Sequence, residues 1–297
     1  MNAAVLPAHR PRPLAMLAEL TKLRISGAST LTAAAGYIAC RRGVDAGLIP
    51  TLAGILLLAM GSSALNEVQE RHLDARMPRT WHRPLPQGDI QPGTALVLAL
   101  ALALAGFLVL RLFLPASAAW LGALALAWYN GVYTPLKRFS AFAVVPGSLI
   151  GALPPAIGWA AAGGDLRNPA LLALAFVFFI WQVPHFWLLV TLHAEGYEQA
   201  GFPTLVQVLG RPRLARLTFT WIIGTATACS LLPVFRVLGT PPAVLLLAGS
   251  ALALALGALP LLREAPSPRT TRRVFMNVNL FALLLTAAVV LDPFLAR

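Results

Sequence analysis

Charged residues are scarce in this sequence, and acidic residues are the scarcest of all. Only 11% of the 297 residues are charged, whereas soluble domains carry roughly 25%. Just 11 residues are Asp or Glu, while 58% are hydrophobic and the mean hydropathy is +0.74. Such a chain has too few polar groups to cover itself in water. The composition therefore excludes an ordinary soluble globular protein and indicates an integral membrane protein.

Cysteine is nearly absent as well, because the chain has only Cys40 and Cys229. They stand far apart in apolar stretches, without the spacing of a disulfide framework or a metal site, so we interpret both as buried packing residues. The 23 basic residues raise the pI to about 11.3. Membrane proteins concentrate Lys and Arg in cytoplasmic loops, and no separate basic tail is present. No nucleic-acid partner is predicted.

A cleaved signal peptide is not evident at the beginning of the chain. Residues 1–14 are polar and rich in proline, without a short apolar core followed by a small-residue cleavage site. We therefore predict a cytoplasmic N-terminal tail over residues 1–21 and a transmembrane domain over residues 22–297.

Long apolar runs are the most prominent feature that the sequence does contain. A helix needs about 20 mostly apolar residues to cross the hydrocarbon core, and helices satisfy their own backbone in lipid. The alternation of a membrane barrel strand is missing, so the predicted fold is an all-α polytopic membrane helix bundle. About nine spans are predicted, at residues 22–40, 47–66, 93–113, 117–134, 142–163, 169–192, 215–235, 242–262 and 274–294.

The basic residues predict the orientation of these spans. With a cytoplasmic N-terminus, 17 of the 23 Lys and Arg residues fall on the cytoplasmic side, which satisfies the positive-inside rule. Nine spans then place the C-terminus outside, in the periplasm. The abundance of Ala, Leu and Arg suggests a GC-rich bacterial source, and hence a multi-pass protein of the bacterial cell inner membrane.

The few acidic residues are concentrated on the same side. Asn66, Glu70 and Asp74 are spaced by four residues, so they share one face if the second span continues as a helix beyond the membrane. Oxygen ligands on one face suit Mg²⁺, which is usually held by one or two carboxylates and substrate phosphates. Arginine forks match phosphate oxygens. The alternative is a solvated, self-paired charged loop. The arginines in question are Arg71, Arg76, Arg79 and Arg83.

A second acidic group follows the sixth span. Glu195 and Glu198 flank Tyr197, and we predict that both carboxylates complete an Mg²⁺ site opposite the first. An interfacial loop with a tyrosine anchor explains the same pattern equally well.

Two more patterns lie on the predicted cytoplasmic side or within a span. Tyr133 is followed by Lys137 and Arg138, which indicate either diphosphate binding or a simple topology signal. His185 lies within the sixth span, where ionisable residues are rare and frequently functional. It is a candidate to bind iron or a substrate carboxylate, and the alternative is a packing residue.

Together these segments resemble the protoheme IX farnesyltransferases (heme O synthases), within the intramembrane aromatic prenyltransferases. Residues 66–85 resemble the signature N-x-x-x-D-R-D-x-D-R-x-M-x-R-T-x-x-R-P-L, and residues 147–164 resemble G-A-x-P-P-x-x-G-W. Residues 184–187 read P-H-F-W, and residues 197–203 resemble Y-x-x-A-G-x-P. The similarity keeps order and spacing over residues 20–210. It departs at Glu70 and His72, where the family has Asp, and at Gly196, where the family has Asp before the tyrosine.

The resemblance implies an Mg²⁺-dependent enzyme whose helices surround a central cavity open to the cytoplasm. It would transfer the farnesyl group of farnesyl diphosphate to a vinyl group of heme B, giving heme O for heme-copper oxidases. The implied partners are both substrates, the lipid bilayer, and heme A synthase or terminal oxidase assembly factors. The implied roles are as follows: Asn66, Glu70, Asp74 and Lys137 catalytic; Asn66, Glu70, Asp74, Glu195 and Glu198 holding Mg²⁺; Arg71, Arg76, Arg79, Arg83, Tyr133, Arg138, His185 and Tyr197 binding substrate. Trp128, Tyr129 and Tyr133 are candidates to stabilise an allylic cation.

Three other functions remain open at this point. A prenyltransferase of quinone precursors would have the same site, although the P-H-F-W and P-P-x-x-G-W segments favour heme. A non-catalytic heme-binding or oxidase-assembly protein is suggested by His72 and Gly196. Transporters often carry ionisable residues near the middle of the membrane, whereas the acids here lie at one interface.

Overall fold

The computed structural model describes residues 13–263 and 266–296, and within these ranges it contains helices and no strands. The main helices, numbered in chain order, are α1 (Leu23–Arg41), α2 (Leu48–Asp74), α3 (Pro92–Phe113), α4 (Ala116–Leu126), α5 (Leu149–Ala161), α6 (Pro169–Leu192), α7 (Arg211–Ala228), α8 (Pro241–Ala258) and α9 (Pro268–Leu295).

Shorter elements extend or connect these helices. A π-helix, Ala127–Tyr133, continues α4 without a break, and a 3₁₀ turn, Leu259–Leu262, ends α8. The other short helices are Pro13–Leu20, Pro84–Gln87, Thr134–Leu136, Val144–Gly147, Ala194–Gln199, Leu205–Leu209 and Leu231–Val234.

Local sequence accounts for several helix beginnings. Asn168 accepts a hydrogen bond from the backbone N–H of Ala170 before α6, and Ser267 caps α9 in the same way from Thr270. Proline follows each cap as the first helical residue, where its missing N–H costs nothing. These signals explain why α6 begins at the predicted residue.

The described residues contain seven helical segments that are long and apolar enough to cross a membrane. The predicted count of about nine spans is therefore not matched exactly. The two predicted spans outside this set correspond to α1 and to α4 with its π-helix. Polar residues lower the hydropathy of α1, and Trp128, Tyr129 and Asn130 lower that of the other segment. α2 runs to Asp74, eight residues beyond its predicted end at residue 66, so the acidic motif is helical.

Glycine allows the helices to approach each other closely. A Cβ atom on Gly36 of α1 would overlap the backbone of Pro155 in α5, and one on Gly158 would overlap Ala33. On the outside, leucines such as Leu104 and Leu245 are 58% and 70% exposed. Soluble monomers rarely expose apolar patches this extensive, so these faces are suited to lipid.

The bundle has two chemically different ends. Lys22, before α1, contacts Asn66 near the end of α2. At the opposite end, Arg42 and the backbone N–H groups of Gly239 and Thr240 converge on the buried Asp292 of α9. Helix Pro13–Leu20 belongs to the first end, where Leu20 packs in an apolar cluster with Leu85. The predicted tail therefore packs on the bundle from Pro13 onward, while residues 1–12 lie outside the described part.

Candidate active site

The last two turns of α2 carry three predicted site residues on one face, as their spacing indicated. Asn66, Glu70 and Asp74 are 2%, 5% and 2% exposed, and Glu67 beside them is 1% exposed. Asn66 Nδ2 donates to Glu70 Oε2 over 3.0 Å. A run of acids that sequence alone could assign to a solvated loop is therefore buried inside the bundle.

Three cations from outside α2 lie against Asn66 and these acids. Lys137 Nζ lies 2.6 Å from Glu70 Oε2, and Arg83 Nη1 lies 2.8 Å from Asp74 Oδ2. Lys22 Nζ donates to Asn66 Oδ1 over 2.7 Å. Burial lowers the pKa of Lys22 to about 8, and the positive charge of Arg83 contributes to the same shift. We call the residues Lys22, Asn66, Glu67, Glu70, Asp74, Arg83 and Lys137 the acid cluster.

The formal charges of the acid cluster balance, and some of its oxygen atoms have no hydrogen-bond partner. Lys22, Arg83 and Lys137 offset Glu67, Glu70 and Asp74. Glu70 Oε1 and both carboxylate oxygens of Glu67 are buried without a hydrogen bond, although Arg83 Nε lies 3.5 Å from Glu67 Oε1. Buried carboxylate oxygens without hydrogen bonds are suitable ligands for a hard cation such as Mg²⁺. The cluster therefore fits Mg²⁺ together with phosphate oxygens.

The π-helix places the next part of the site against α2. Asn130 donates from Nδ2 to Ser62 O and to Gln69 Oε1, at 3.0 and 3.1 Å. Thr134 Oγ1 accepts from Asn66 Nδ2 over 3.1 Å. Short π-helical turns frequently occur at functional sites. Here the extra residue per turn brings Asn130 and Tyr133 inward, since both are buried.

A chain of aromatic rings leads from the acid cluster into the bundle. Lys137 Nζ lies 5.4 Å from the centre of the Tyr133 ring, which is 5.7 Å from Tyr129 and 6.1 Å from Phe186. Phe186 in turn contacts His185 at 5.3 Å. Trp128, expected to join this group, instead donates from Nε1 to Pro146 O over 2.9 Å.

His185 lies deep along this aromatic path. Its ring packs between Trp181 and Phe275, at 5.0 and 5.2 Å between ring centres. Its Nδ1 is buried without a hydrogen-bond partner. Phe186 separates it from Tyr133, so His185 does not belong to the acid cluster.

Several predicted arginines lie around the cluster rather than in it. Arg71 Nη1 donates to Val68 O, and Arg138 Nη2 donates to Gln69 O, over 2.9 and 2.8 Å. Arg76 is exposed. Of the four arginines in the first motif, Arg83 alone contacts acids of the cluster among the described residues.

The second acidic motif does not complete the first within the described residues. Glu195 has a side chain that is 87% exposed and lies 4.0 Å from Arg211, while Glu198 Oε1 accepts from Thr204 Oγ1 over 2.6 Å. No three His, Cys, Asp or Glu side chains in the described ranges are grouped to hold a metal. The structure therefore does not bring Glu195 and Glu198, two of the expected Mg²⁺ ligands, to the acid cluster, because Glu195 is exposed near Arg211 of α7 and Glu198 bonds to Thr204.

Arg79 and Tyr197 meet at a neighbouring cavity. Arg79 Nη2 donates to Tyr197 Oη over 3.2 Å, and the guanidinium lies 5.8 Å from the centre of the ring. The cavity measures about 320 Å³. We call it the basic cavity; its polar lining includes Arg79, Thr191, His193, Glu195, Tyr197, Gln199, Arg211 and Thr271.

Three members of the site were not selected from the sequence. Lys22 is one of many cations that the positive-inside rule places on the predicted cytoplasmic side. Glu67 lies one residue after Asn66, and Thr134 follows Tyr133. Their proximity depends on how α1, α2 and the π-helix pack, which residue spacing does not reveal.

Comparison with known proteins shows which proteins this chain is similar to. Residues 29–285 match the model of the UbiA prenyltransferase family. A protoheme IX farnesyltransferase from Geobacter sulfurreducens is 40% identical, over 92% of this chain and 97% of that protein. One from Oleidesulfovibrio alaskensis is 38% identical, over 73% of this chain and 76% of that protein.

Solved structures show the same fold at low sequence identity. A digeranylgeranylglyceryl phosphate synthase superposes with a TM-score of 0.77 at 15% identity, covering 96% of this chain and 99% of that one. A UbiA homologue from Archaeoglobus fulgidus bound to DMAPP and Mg²⁺ has a TM-score of 0.65 at 14% identity, covering 92% and 98%. This chain belongs to the UbiA prenyltransferase family.

Proposed function

We propose that this protein transfers the farnesyl group of farnesyl diphosphate to a vinyl group of heme B, giving heme O. The observation that carries the proposal is the buried acid cluster at the end of α2, in a chain 40% identical over nearly its whole length to a protoheme IX farnesyltransferase. The acid cluster serves the diphosphate of the donor. The aromatic path beside it serves the prenyl chain.

The charge balance of the acid cluster supports this role. The three cations are offset by three carboxylates, so an incoming diphosphate needs additional positive charge. Glu70 and Asp74 would hold Mg²⁺, which when bound neutralises charge on the diphosphate leaving group. Asn66, with Oδ1 on Lys22 and Nδ2 on Glu70 and Thr134, orients Glu70.

The proposed reaction proceeds through an allylic cation. The bond from farnesyl C1 to the diphosphate oxygen breaks, and the diphosphate leaves with the electron pair. Tyr129, Tyr133 and Phe186 present aromatic faces that stabilise the allylic cation. The terminal carbon of the heme vinyl group then bonds to C1. Water adds to the remaining cation and loses a proton, which produces the hydroxyethylfarnesyl group.

The cellular setting is part of the same proposal. The protein spans the bacterial inner membrane several times, with residues 22–297 as one prenyltransferase domain, a cytoplasmic N-terminus and a periplasmic C-terminus. Its product passes to heme A synthase and to the assembly of terminal oxidases. Both substrates partition into lipid, which accounts for a site within a helix bundle.

The proposal is tested with purified protein in detergent, heme B, farnesyl diphosphate and Mg²⁺, with product mass followed by chromatography. We expect heme to gain a hydroxyethylfarnesyl group, and the product to disappear with EDTA or in Glu70→Ala. The control Glu195→Gln is expected to keep its Mg²⁺ dependence, because Glu195 is exposed outside the acid cluster. Heme that binds but stays unmodified would contradict the proposed reaction.

A further inference from the structure

We propose that the basic cavity binds the carboxylates of the acceptor, with Arg79 and Arg211 holding the propionate edge of the porphyrin. The inference rests on the proposed function and assigns to this cavity a role separate from diphosphate binding. Three features of the basic cavity support the inference. Its positive charge is largely unneutralised, its two arginines have N–H groups available for hydrogen bonds, and it lies beside the acid cluster.

The two arginines retain most of their hydrogen-bonding capacity. Arg79 uses Nη2 for Tyr197, and Arg211 uses Nη1 for a long bond of 3.4 Å to Thr191 O. Each guanidinium carries five N–H donors. The donors that remain can form forked, charge-assisted bonds with a carboxylate.

The charge of the basic cavity differs from that of the acid cluster. Arg79 has no acidic partner within the described residues, and Arg211 has only the exposed Glu195 at 4.0 Å. An exposed pair at that distance is worth little in water. The cavity thus carries net positive charge without a metal, whereas the acid cluster is already balanced.

The position of the cavity connects it to the proposed reaction. Met77 and Tyr197 line it and belong to an apolar cluster with Phe202. On the other side of that cluster, the Phe202 ring lies 5.9 Å from Lys137 Nζ. The basic cavity and the acid cluster are therefore neighbours divided by a few apolar side chains.

The arrangement of groups on heme fits two separate binding regions, the basic cavity and the acid cluster. Protoheme carries both of its carboxylates along one edge, and its vinyl groups lie elsewhere on the ring. Holding the carboxylates at Arg79 and Arg211 fixes the orientation of the ring and determines which edge faces the donor. A quinone precursor without two such carboxylates would not gain from this cavity, so the cavity favours heme as the acceptor.

The test compares heme B with its dimethyl ester, which lacks the two negative charges. Each is titrated by absorption into the wild-type protein and into Arg79→Gln, Arg211→Gln and Arg213→Gln. Arg213 is the matched control, because it is exposed on the first turn of α7 and does not line the cavity. We expect the wild type and the control to bind heme B about tenfold more tightly than the ester.

The other two variants are expected to lose that preference while keeping their affinity for farnesyl diphosphate, measured by calorimetry with Mg²⁺. Glu195→Gln is expected to increase the preference, because it removes a negative charge from the cavity. Equal binding of acid and ester by the wild type would overturn the proposal. A loss of diphosphate affinity in Arg79→Gln and Arg211→Gln, with heme binding unchanged, would assign the cavity to the donor instead.

Product formation by the wild type, followed in parallel, separates this inference from the proposed function. If the wild type binds heme B more tightly than the ester but forms no product, the result supports carboxylate binding in the basic cavity and rejects the proposed reaction. If the wild type forms product but binds heme B and the ester equally tightly, the result supports the proposed reaction and rejects carboxylate binding in the basic cavity.

Discussion

Lys137 Nζ and Glu70 Oε2 lie 2.6 Å apart, although 67 residues separate them in the sequence. The side chains are 21% and 6% exposed. This ion pair joins the end of α2 to the segment after the π-helix. It connects the two sides of the acid cluster, which would give the proposed diphosphate a preformed binding site.

Removal of Lys137 is expected to impair both activity and stability. Lys137→Met leaves Glu70 with an uncompensated charge, which costs about 3 kcal/mol of folding free energy in comparable buried pairs. We expect kcat/KM for farnesyl diphosphate to fall roughly 100-fold, as on loss of one donor to a developing negative charge. In a double-mutant cycle, Glu70→Gln combined with Lys137→Met should be less harmful to thermal stability than the sum of the single changes. Strict additivity would show that the pair is not coupled.

The pKa of Lys22 predicts a loss of activity above neutral pH. Its pKa of about 8 lies below that of an exposed lysine, since burial and Arg83 disfavour the charged form. Lys22 is therefore charged at pH 7 and loses its charge as the pH rises through about 8. We expect kcat/KM for farnesyl diphosphate, which reports on the free enzyme, to fall over that range. Lys22→Arg should move the fall to higher pH; an unchanged profile would exclude Lys22 as its origin.

Gly147 is expected to tolerate no side chain, in contrast to Gly131. A Cβ on Gly147 would overlap the ring of Tyr133, whereas nothing lies within 4 Å of a Cβ on Gly131. Overpacking of this kind costs roughly 1–3 kcal/mol. Gly147→Ala should lower the melting temperature in detergent and reduce activity, because Tyr133 is displaced from Lys137. Gly131→Ala should leave the melting temperature unchanged or raise it slightly, and equal effects of both changes would contradict this packing.

Asp292 is expected to stabilise the end of the bundle opposite to the site. It is fully buried, lies 2.7 Å from Arg42 Nη2, and accepts from Gly239 N and from Thr240 N and Oγ1. Asp292→Ala leaves these backbone and hydroxyl donors without their acceptor and removes the ion pair of Arg42, at a cost of about 3–5 kcal/mol. Thermal unfolding should shift strongly downward, while kcat of the folded fraction remains that of the wild type.

The exposed pair Arg41–Asp45 provides the comparison, because surface ion pairs contribute about 0–1 kcal/mol. Arg41→Ala should therefore change the melting temperature little. A comparable loss in both variants would reject the special role of Asp292.

The sequence by itself determined the class of fold and the shared face of the first acidic motif. Apolar runs predicted helices over the same regions that the structure makes helical, because a chain in lipid must satisfy its own backbone. The four-residue spacing of Asn66, Glu70 and Asp74 predicted a shared face, and α2 confirms it. Local periodicity was sufficient for both conclusions.

Only the tertiary structure decided which charges meet. Lys22, Arg83 and Lys137 come from different segments and converge on α2. Glu195 and Glu198 share the predicted side of the membrane, but Glu195 is exposed near Arg211 of α7 and Glu198 bonds to Thr204 in its own loop. Electrostatic pairing depends on distances of a few ångströms, and the packing of glycine-lined helices sets those distances. No spacing along the chain specifies them, so the partners of Glu70 and Asp74 became visible only in three dimensions.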